Sequence, residues 1–372
     1  MKPRLCIVNP FEHGGGAEYQ ISLLIDAAAA SDRYEIFYLA HCVDQPDRGR
    51  NYRIVQIGRG GAMPRLGYIM EAGALNRTLR QIGPSLIYQR VACAYTGICA
   101  QYARRHSVPL IWHVAHDTDV SPTVLDPARN IVRLRLEKWA VNFGARRATR
   151  IVVQTAHQAQ LLQSGFGRSA DAIIPNFHPP ATETLDKSGA LTVVWIANLK
   201  PWKQPQEFVR LARSLRDCRG VRFVMLGAPA PMAGNRSWQE ALMSDIRETA
   251  NLEYVGQKSH AEVNAILARS HIFVNTSTHE GFPNTFIQSW LRDVAVVSLN
   301  VDPDRVLEQK GVGISAHSAS GLRDAVRRLI EHPEERAGYV ERGRAHATAH
   351  HSLRNAEELV GLIDRECAHA DR

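Results

Sequence analysis

The stretch Asn275-Thr276-Ser277-Thr278-His279-Glu280-Gly281-Phe282-Pro283-Asn284-Thr285-Phe286-Ile287-Gln288-Ser289-Trp290 is the part of the chain best equipped for chemistry. An apolar run ends just before it, a glycine follows for a sharp turn, and Pro283 suits the first turn of a helix, where its missing N–H costs nothing. The backbone amides after it, at Asn284 and Thr285, would then form an anion site at the positive end of that helix. Glu280 stands just ahead, where its carboxylate can accept hydrogen bonds from sugar hydroxyls or simply favour the helix dipole. Gln288 comes two turns later on about the same face.

Two further constellations follow strands. The run Val193 to Ala197 leads into Asn198-Leu199-Lys200-Pro201-Trp202-Lys203, with a helix expected from about Gln206. Two lysines at the carboxyl end of a strand can neutralise a diphosphate without a metal, or they are solvated surface charges. Near the amino terminus the first strand runs into Gly14-Gly15-Gly16-Ala17-Glu18, before a helix expected over Tyr19 to Ala30. Such glycines let backbone amides approach an anion, or serve only a tight turn. Their spacing is not the G-x-G-x-x-G of dinucleotide sites.

The elements that must position these residues form two series. Short β-branched runs at Leu5 to Val8, Ile36 to Leu39, Ile54 to Ile57, Leu86 to Tyr88, Leu110 to His113 and Ile151 to Val153 alternate with helical patterns. A second series runs through Thr192 to Ile196, Phe223 to Leu226, Glu253 to Val255, Ile272 to Val274 and Val294 to Val297. This rhythm predicts parallel sheets covered by helices. The polar, proline-bearing stretch after Pro179 separates them. The expected organisation is a Rossmann-like domain over residues 1–178, a linker over 179–190, a second Rossmann-like domain over 191–350, and a closing helix within 351–372. Two such sheets facing each other make a cleft at the carboxyl ends of their strands, where open α/β sheets bind ligands.

At 372 residues, 45% hydrophobic and 22% charged, the chain suits two compact domains and is neither fibrous nor largely disordered. Its six cysteines form no CxxC pair and read as reduced thiols, and no metal-ligand spacing stands out. The apolar run near the start is too short for a signal peptide, and no stretch reaches the length of a spanning helix, so a cytoplasmic protein is expected. The net charge of +8 favours anionic partners. Nucleic acid is not expected among them, since zinc-finger spacings and stacking-aromatic patterns are missing.

With these motifs in place, the sequence resembles the retaining nucleotide-sugar glycosyltransferases of family 4, which have the GT-B fold. The resemblance rests on Glu280-Gly281-Phe282 with Gln288 eight residues after Glu280, on Gly15-Gly16-Ala17-Glu18, on Gln154-Thr155 and Ile174-Pro175-Asn176, and on Lys203. It covers the chain from near residue 4 to about residue 330. Two positions depart from the pattern: Asn198 stands where the family has arginine, with Lys200 nearby, and Gln288 stands where it has a second glutamate. Glutamine loses the charge-assisted bond that a carboxylate would make to ribose hydroxyls.

The resemblance implies an α/β, GT-B architecture of two facing Rossmann-like domains with an interdomain cleft. It implies transfer of a hexose-type sugar from a nucleotide-sugar donor to a hydroxyl of a glycan or lipid-linked carrier, with retained configuration, no metal and no cofactor beyond the donor. Lys203 would be the phosphate lysine, with Lys200 and Asn198 beside it. Glu280 would hold the sugar, and Gly15, Gly16, Gly281, Phe282, Pro283, Asn284, Thr285 and Gln288 would line the donor. His116 falls in the loop that family members use near the donor sugar and acceptor, with Asp117 to orient it and His113, on the strand, mainly for packing. Acceptor choice is expected to lie in Gly58 to Leu66 and Ala92 to Tyr95. A helix over Ala128 to Ala148, with Arg129, Arg133, Arg135, Lys138, Arg146 and Arg147 among apolar residues, either covers the sheet or rests on anionic lipid. The rival readings are a nucleotide-sugar binding protein without catalysis and an epimerase of the same fold.

Overall fold

The computed structural model describes residues 2–12, 14–43, 51–61, 63–121, 131–229 and 236–370. The chain divides into two compact units: Met1–Phe177 with Leu353–Arg372, and His178–Ser352.

Unit 1 is a seven-stranded parallel sheet in the order β3-β2-β1-β4-β5-β6-β7. Its elements are β1 (Arg4–Phe11), α1 (Gly16–Ala30), β2 (Glu35–Cys42), β3 (Arg53–Gln56), α2 (Ala72–Ile82), β4 (Leu86–Arg90), α3 (Ala94–His106), β5 (Leu110–His113), α4 (Asp117–Val120), α5 (Ile131–Ala145), β6 (Arg150–Val153), α6 (Ala156–Phe166) and β7 (Ala172–Ile173). Strands β4 and β5 are buried along their whole length; their first residues are apolar, as covering on both faces favours, and Gln89, Arg90 and His113 come at their carboxyl ends. Helix α1 begins at Gly16, three residues before the expected start, because extended Gly15 serves as its N-cap. Helix α5 lies against α3 at a crossing where both backbones come close. A Cβ on Gly97 would sit 2.4 Å from the Ala140 carbonyl oxygen, and one on Gly144 would sit 2.6 Å from Thr96 backbone. The expected start of that helix, including Arg129, lies outside the described residues.

Unit 2 is a six-stranded parallel sheet in the order β10-β9-β8-β11-β12-β13. It contains β8 (Leu191–Ile196), α7 (Pro205–Ser214), β9 (Val221–Leu226), α8 (Arg236–Arg247), β10 (Leu252–Gly256), α9 (His260–Leu267), β11 (Ile272–Asn275), α10 (Asn284–Trp290), β12 (Ala295–Ser298), α11 (Val306–Lys310), β13 (Gly313–Ser315), α12 (Ala319–Glu331) and α13 (Pro333–His350). The stretch 179–190 is fastened to this unit: Arg292 pairs with Glu183, and the Lys187 ammonium donates to the carbonyls of Leu267 and Ser270. Burial pushes Lys187 down to about 8.

Helix α14 (Arg354–Ala370) belongs to unit 1. Its Leu359, Val360 and Ile363 pack with Leu5 and Ile7 of β1 and Ile21 and Leu24 of α1. Asp364 accepts from Arg33 at 2.5 Å and from the Tyr34 hydroxyl, and Arg150 reaches Glu366 at 2.8 Å. Among the described residues no helix is long and apolar enough to cross a membrane.

Candidate functional site

In both sheets the strand order reverses direction once, between β1 and β4 in unit 1 and between β8 and β11 in unit 2. Loops leaving neighbouring strands at such a point part to opposite faces and leave room for a ligand at the carboxyl edge. The chemical residues of unit 2 leave β8 and β11, side by side.

After β8 the chain makes a 3-10 turn, Pro201–Lys203, then passes through Gln204 in the left-handed region, φ 46°, before Pro205 opens α7. This turn is laced to the loop after β11. The Thr276 hydroxyl donates to the Lys203 carbonyl at 2.6 Å and accepts from Trp195 Nε1 at 2.8 Å, while the Thr278 amide donates to the Trp202 carbonyl at 2.8 Å. The lacing brings the Lys203 ammonium onto Glu280 Oε1 as an ion pair, and the Ser277 hydroxyl donates to the same oxygen at 2.7 Å. Both charges are mostly shielded, with 20% and 12% of their side chains exposed, where such a pair is screened less than on an open surface. Lys200 lies over the Trp202 ring, 5.1 Å from its centroid.

Pro283 is the N-cap of α10, one position before the first-turn place expected for it, with extended ψ of 122°. The first helical amides are therefore those of Asn284 and Thr285. Behind the turn, Phe282 packs on His351, ring centroids 4.4 Å apart, and on Trp290 at 6.2 Å. His178 Nε2 lies 3.3 Å from Asn284 Oδ1, and burial pushes its imidazole down to about 3. Gln288 is only 3% exposed and donates from Nε2 to Asn264 Oδ1 of α9 at 2.9 Å. Asn198 is placed by Gly227, whose φ of +145° and absent Cβ allow an approach that would otherwise put that carbon 1.8 Å from the Ala197 carbonyl oxygen. The Leu199 amide then bonds the Ala228 carbonyl at 2.8 Å.

In unit 1, Gly15 is small for a local reason: a Cβ there would lie 2.4 Å from Glu18 Oε2. Glu18 in turn accepts from Asn9 Nδ2 at 2.9 Å. Gly16 is the first residue of α1. After β5 the loop is held residue by residue. Gln154 Nε2 donates to the Val114 and Ala115 carbonyls, both at 2.8 Å, and Gln158 Nε2 donates to Asp117 Oδ1 at 3.0 Å. His116 is the N-cap of α4; its Nδ1 accepts from the Thr118 amide at 3.3 Å and lies 3.0 Å from the Thr118 hydroxyl. A ring nitrogen that accepts an N–H carries no proton, so neutral His116 holds its proton on Nε2. His113 is fully buried, with Nδ1 2.7 Å from the Tyr88 hydroxyl and 3.3 Å from Arg90 Nη1. Burial first and Arg90 second hold its pKa well below the usual imidazole range, so it serves packing within unit 1.

A model of the glycosyl transferase 4-like domain matches residues 15–176, and a model of glycosyl transferases group 1 matches residues 190–332. The chain belongs to the group 1 glycosyltransferases, of the GT4-like type. No curated protein sequence matches this glycosyltransferase. Among solved structures it is similar to sucrose-phosphate synthase from Thermosynechococcus elongatus, with TM-score 0.78, 14% identity, and 99% and 100% of the two chains covered. It is also similar to Anabaena HepE in complex with UDP-glucose, at TM-score 0.76 and 16% identity over 97% and 99%. WaaG, a glycosyltransferase involved in lipopolysaccharide biosynthesis, gives 0.76 and 12% over 96% and 99%. At these identities the likeness is one of fold, and both Rossmann-like units match GT-B structures.

Sequence reasoning missed several residues that organise the glycosyltransferase. Glu137 on α5 accepts from the Tyr68 amide at 2.7 Å and the Ala94 amide at 2.5 Å. Glu71 bridges His41 Nδ1 at 2.8 Å to the Tyr95 hydroxyl. Glu137 thus ties Ala94 to the turn at Tyr68, and Glu71 ties Tyr95 to His41. Buried Arg90 and partly exposed Asp119 were also passed over. The available signals were a cation at the end of an apolar strand, and an acid three residues after His116 in capping-box spacing.

Proposed function

We propose that this glycosyltransferase moves a hexose unit from a nucleotide-sugar donor to a hydroxyl of a glycan or lipid-linked carrier, with retention and without a metal. The Lys203–Glu280 pair carries the reading. It sets a cation and a carboxylate in contact at the point where the unit 2 sheet reverses, and a nucleotide sugar asks for both: positive charge at its diphosphate and hydrogen-bond acceptors at its sugar. A diphosphate offers Lys203 more negative charge than one carboxylate does. Glu280, released in part from its partner, is then available to the sugar hydroxyls and to positive charge developing at the anomeric carbon.

In the proposed step the bond from the anomeric carbon to the diphosphate oxygen breaks, and the acceptor oxygen bonds that carbon on the same face. The acceptor proton passes to the departing phosphate oxygen, so no separate base is required. Lys203, with Lys200 and the amides of Asn284 and Thr285, stabilises the charge that builds on the leaving group. His116, presenting an Nε2–H, donates to an oxygen of the sugar or acceptor. HepE was solved with UDP-glucose, which makes UDP-hexoses the first donors to try.

Helix α5 supports contact with an anionic membrane at the cytoplasmic face. Val132 and Trp139 are 58% and 61% exposed on the side turned away from α3, among Arg133, Arg135 and Lys138, while Glu137 turns inward to backbone amides.

Incubation with labelled nucleotide sugars, with and without chelator, tests the enzyme reading. Transfer or donor hydrolysis that survives chelation is expected. Binding without turnover would leave a sugar-nucleotide binding module, and isomerised donor would mean an epimerase. Activity lost in chelator and restored by magnesium would overturn the metal-free mechanism. Sedimentation with vesicles of phosphatidylcholine and phosphatidylglycerol should show binding that Trp139→Ser weakens.

A further inference from the structure

We propose that Asp119 is a positioning residue that sets the orientation and tautomer of His116 for transfer; the catalytic part of this role rests on the reading above. Asp119 Oδ2 accepts from the amides of both Ala115 and His116, each at 3.0 Å. The carboxylate therefore grips the backbone on the amino side of His116, while the Thr118 amide grips its ring at Nδ1. The two holds belong to one geometry. If the His116 amide swings away, the ring no longer meets the Thr118 N–H, and the reason for keeping the proton on Nε2 is lost.

The setting argues for more than a cap on a single helical turn. At this third helical position an uncharged amide side chain could accept the same amides. Asp119 places a carboxyl group where burial opposes ionisation and pushes it up to about 6, even though the amides of Ala115, His116 and Ala92 and the Arg90 guanidinium all pull it down. Arg90, 1% exposed at the end of β4, lies 2.7 Å from Asn176 Oδ1 and 3.3 Å from His113 Nδ1, both neutral partners. The Arg90 charge also acts on Asp119, as the smallest of the influences that favour its ionised form. Around it stand Arg90 from β4, His113 from β5 beside that guanidinium, His116 and Asp117 on its own turn, and α6, which holds Asp117 through Gln158 and carries His157. Ionised Asp119 accepts both amides at full strength; protonated Asp119 is the weaker acceptor.

The experiment uses the full chain with Asp119→Leu and Asp119→Asn. Nitrogen NMR on protein labelled at histidine, with His116 assigned through His116→Gln, should show the Nε2–H tautomer dominant in the parent chain. It should persist in Asp119→Asn, whose amide oxygen still accepts the two N–H groups, and give way to a mixture in Asp119→Leu. Transfer should fall roughly 10-fold or more in Asp119→Leu, chiefly in kcat, and recover most of that loss in Asp119→Asn. The parent should also lose activity on acidification near pH 6 through a limb that Asp119→Asn lacks. An unaltered His116 tautomer in Asp119→Leu overturns the proposal whatever the donor. A tautomer that responds in a chain that transfers no sugar keeps the positioning role and sinks the enzyme reading instead.

Discussion

At the scale of single residues, the ion pair at the edge of unit 2 makes the most direct prediction. Lys203→Ala removes the charge proposed to stabilise the leaving diphosphate and should cost roughly 10²-fold or more in kcat, with an unchanged circular dichroism spectrum. Turnover near that of the parent under saturating donor would rule the role out. Lys203 and Glu280 were both legible in the sequence, because each follows a strand run with turn residues around it. Their contact was not, since it depends on Thr276, Thr278 and Trp195 lacing two loops that are distant in sequence. Gln288 shows the limit more sharply. Spacing put it two turns beyond Glu280, but only the fold reveals Asn264 as its partner. Asn264→Ala should leave a buried amide without its acceptor and cost about 1–3 kcal/mol in urea unfolding. Gln288→Glu should cost less, because the Asn264 amide can turn to donate to the new carboxylate.

At the scale of elements, strand-and-loop rhythm told where the sheets lie, while irregular joints decided how they are finished. Gly227 is one such joint. Gly227→Ala would force the end of β9 away from Ala197 and shift Asn198 to Lys200, and it should lower stability by about 2 kcal/mol or more while weakening donor binding. Full donor affinity in a folded Gly227→Ala protein would show that this loop does not depend on the approach. Helix α13 was invisible beforehand, since its alanine-, arginine- and histidine-rich sequence has little apolar periodicity. It is held by close contact instead: a Cβ on Gly343 would lie 2.3 Å from the Trp290 ring, and His346 packs edge-on to that ring at 5.4 Å. Glu137 and Glu71 were hidden for a related reason, because an acid on a helix usually reads as a solvated face.

At the scale of the whole molecule, shielded histidines give stability a direction with pH. His346 is held neutral by burial, down to about 4, and His178 similarly to about 3. An unfolded imidazole takes up its proton near its ordinary value, so between that pH and about 4 the unfolded chain binds more protons than the folded one. Stability from these groups is complete above about pH 6.5 and drains as pH falls. Asp119 works the other way. Its raised pKa means the folded chain holds the extra proton between its ordinary value and about 6, so this group alone costs stability as pH rises through that window. Melting scans from pH 7 to pH 5 should show a net fall that His346→Gln reduces and Asp119→Asn enlarges. Equal slopes in all three proteins would mean that these groups do not govern acid stability.

The two units also differ in when they can be finished. Unit 2 is one continuous stretch, whereas unit 1 closes its core with α14, which follows unit 2 in the sequence. Ribosomes deliver the amino terminus first, and domains generally fold as they emerge. Here that order is inverted for the first sheet. Although its strands are synthesised earliest, the apolar patch that awaits Leu359 and Ile363 stays uncovered until α14 has emerged, and unit 2, made before that helix, is the first to have all its parts. A chain stopped after Ser352 but before α14 is made therefore carries a complete second unit joined to an unfinished first one, the kind of product that chaperones and proteases recognise by its exposed hydrophobic surface.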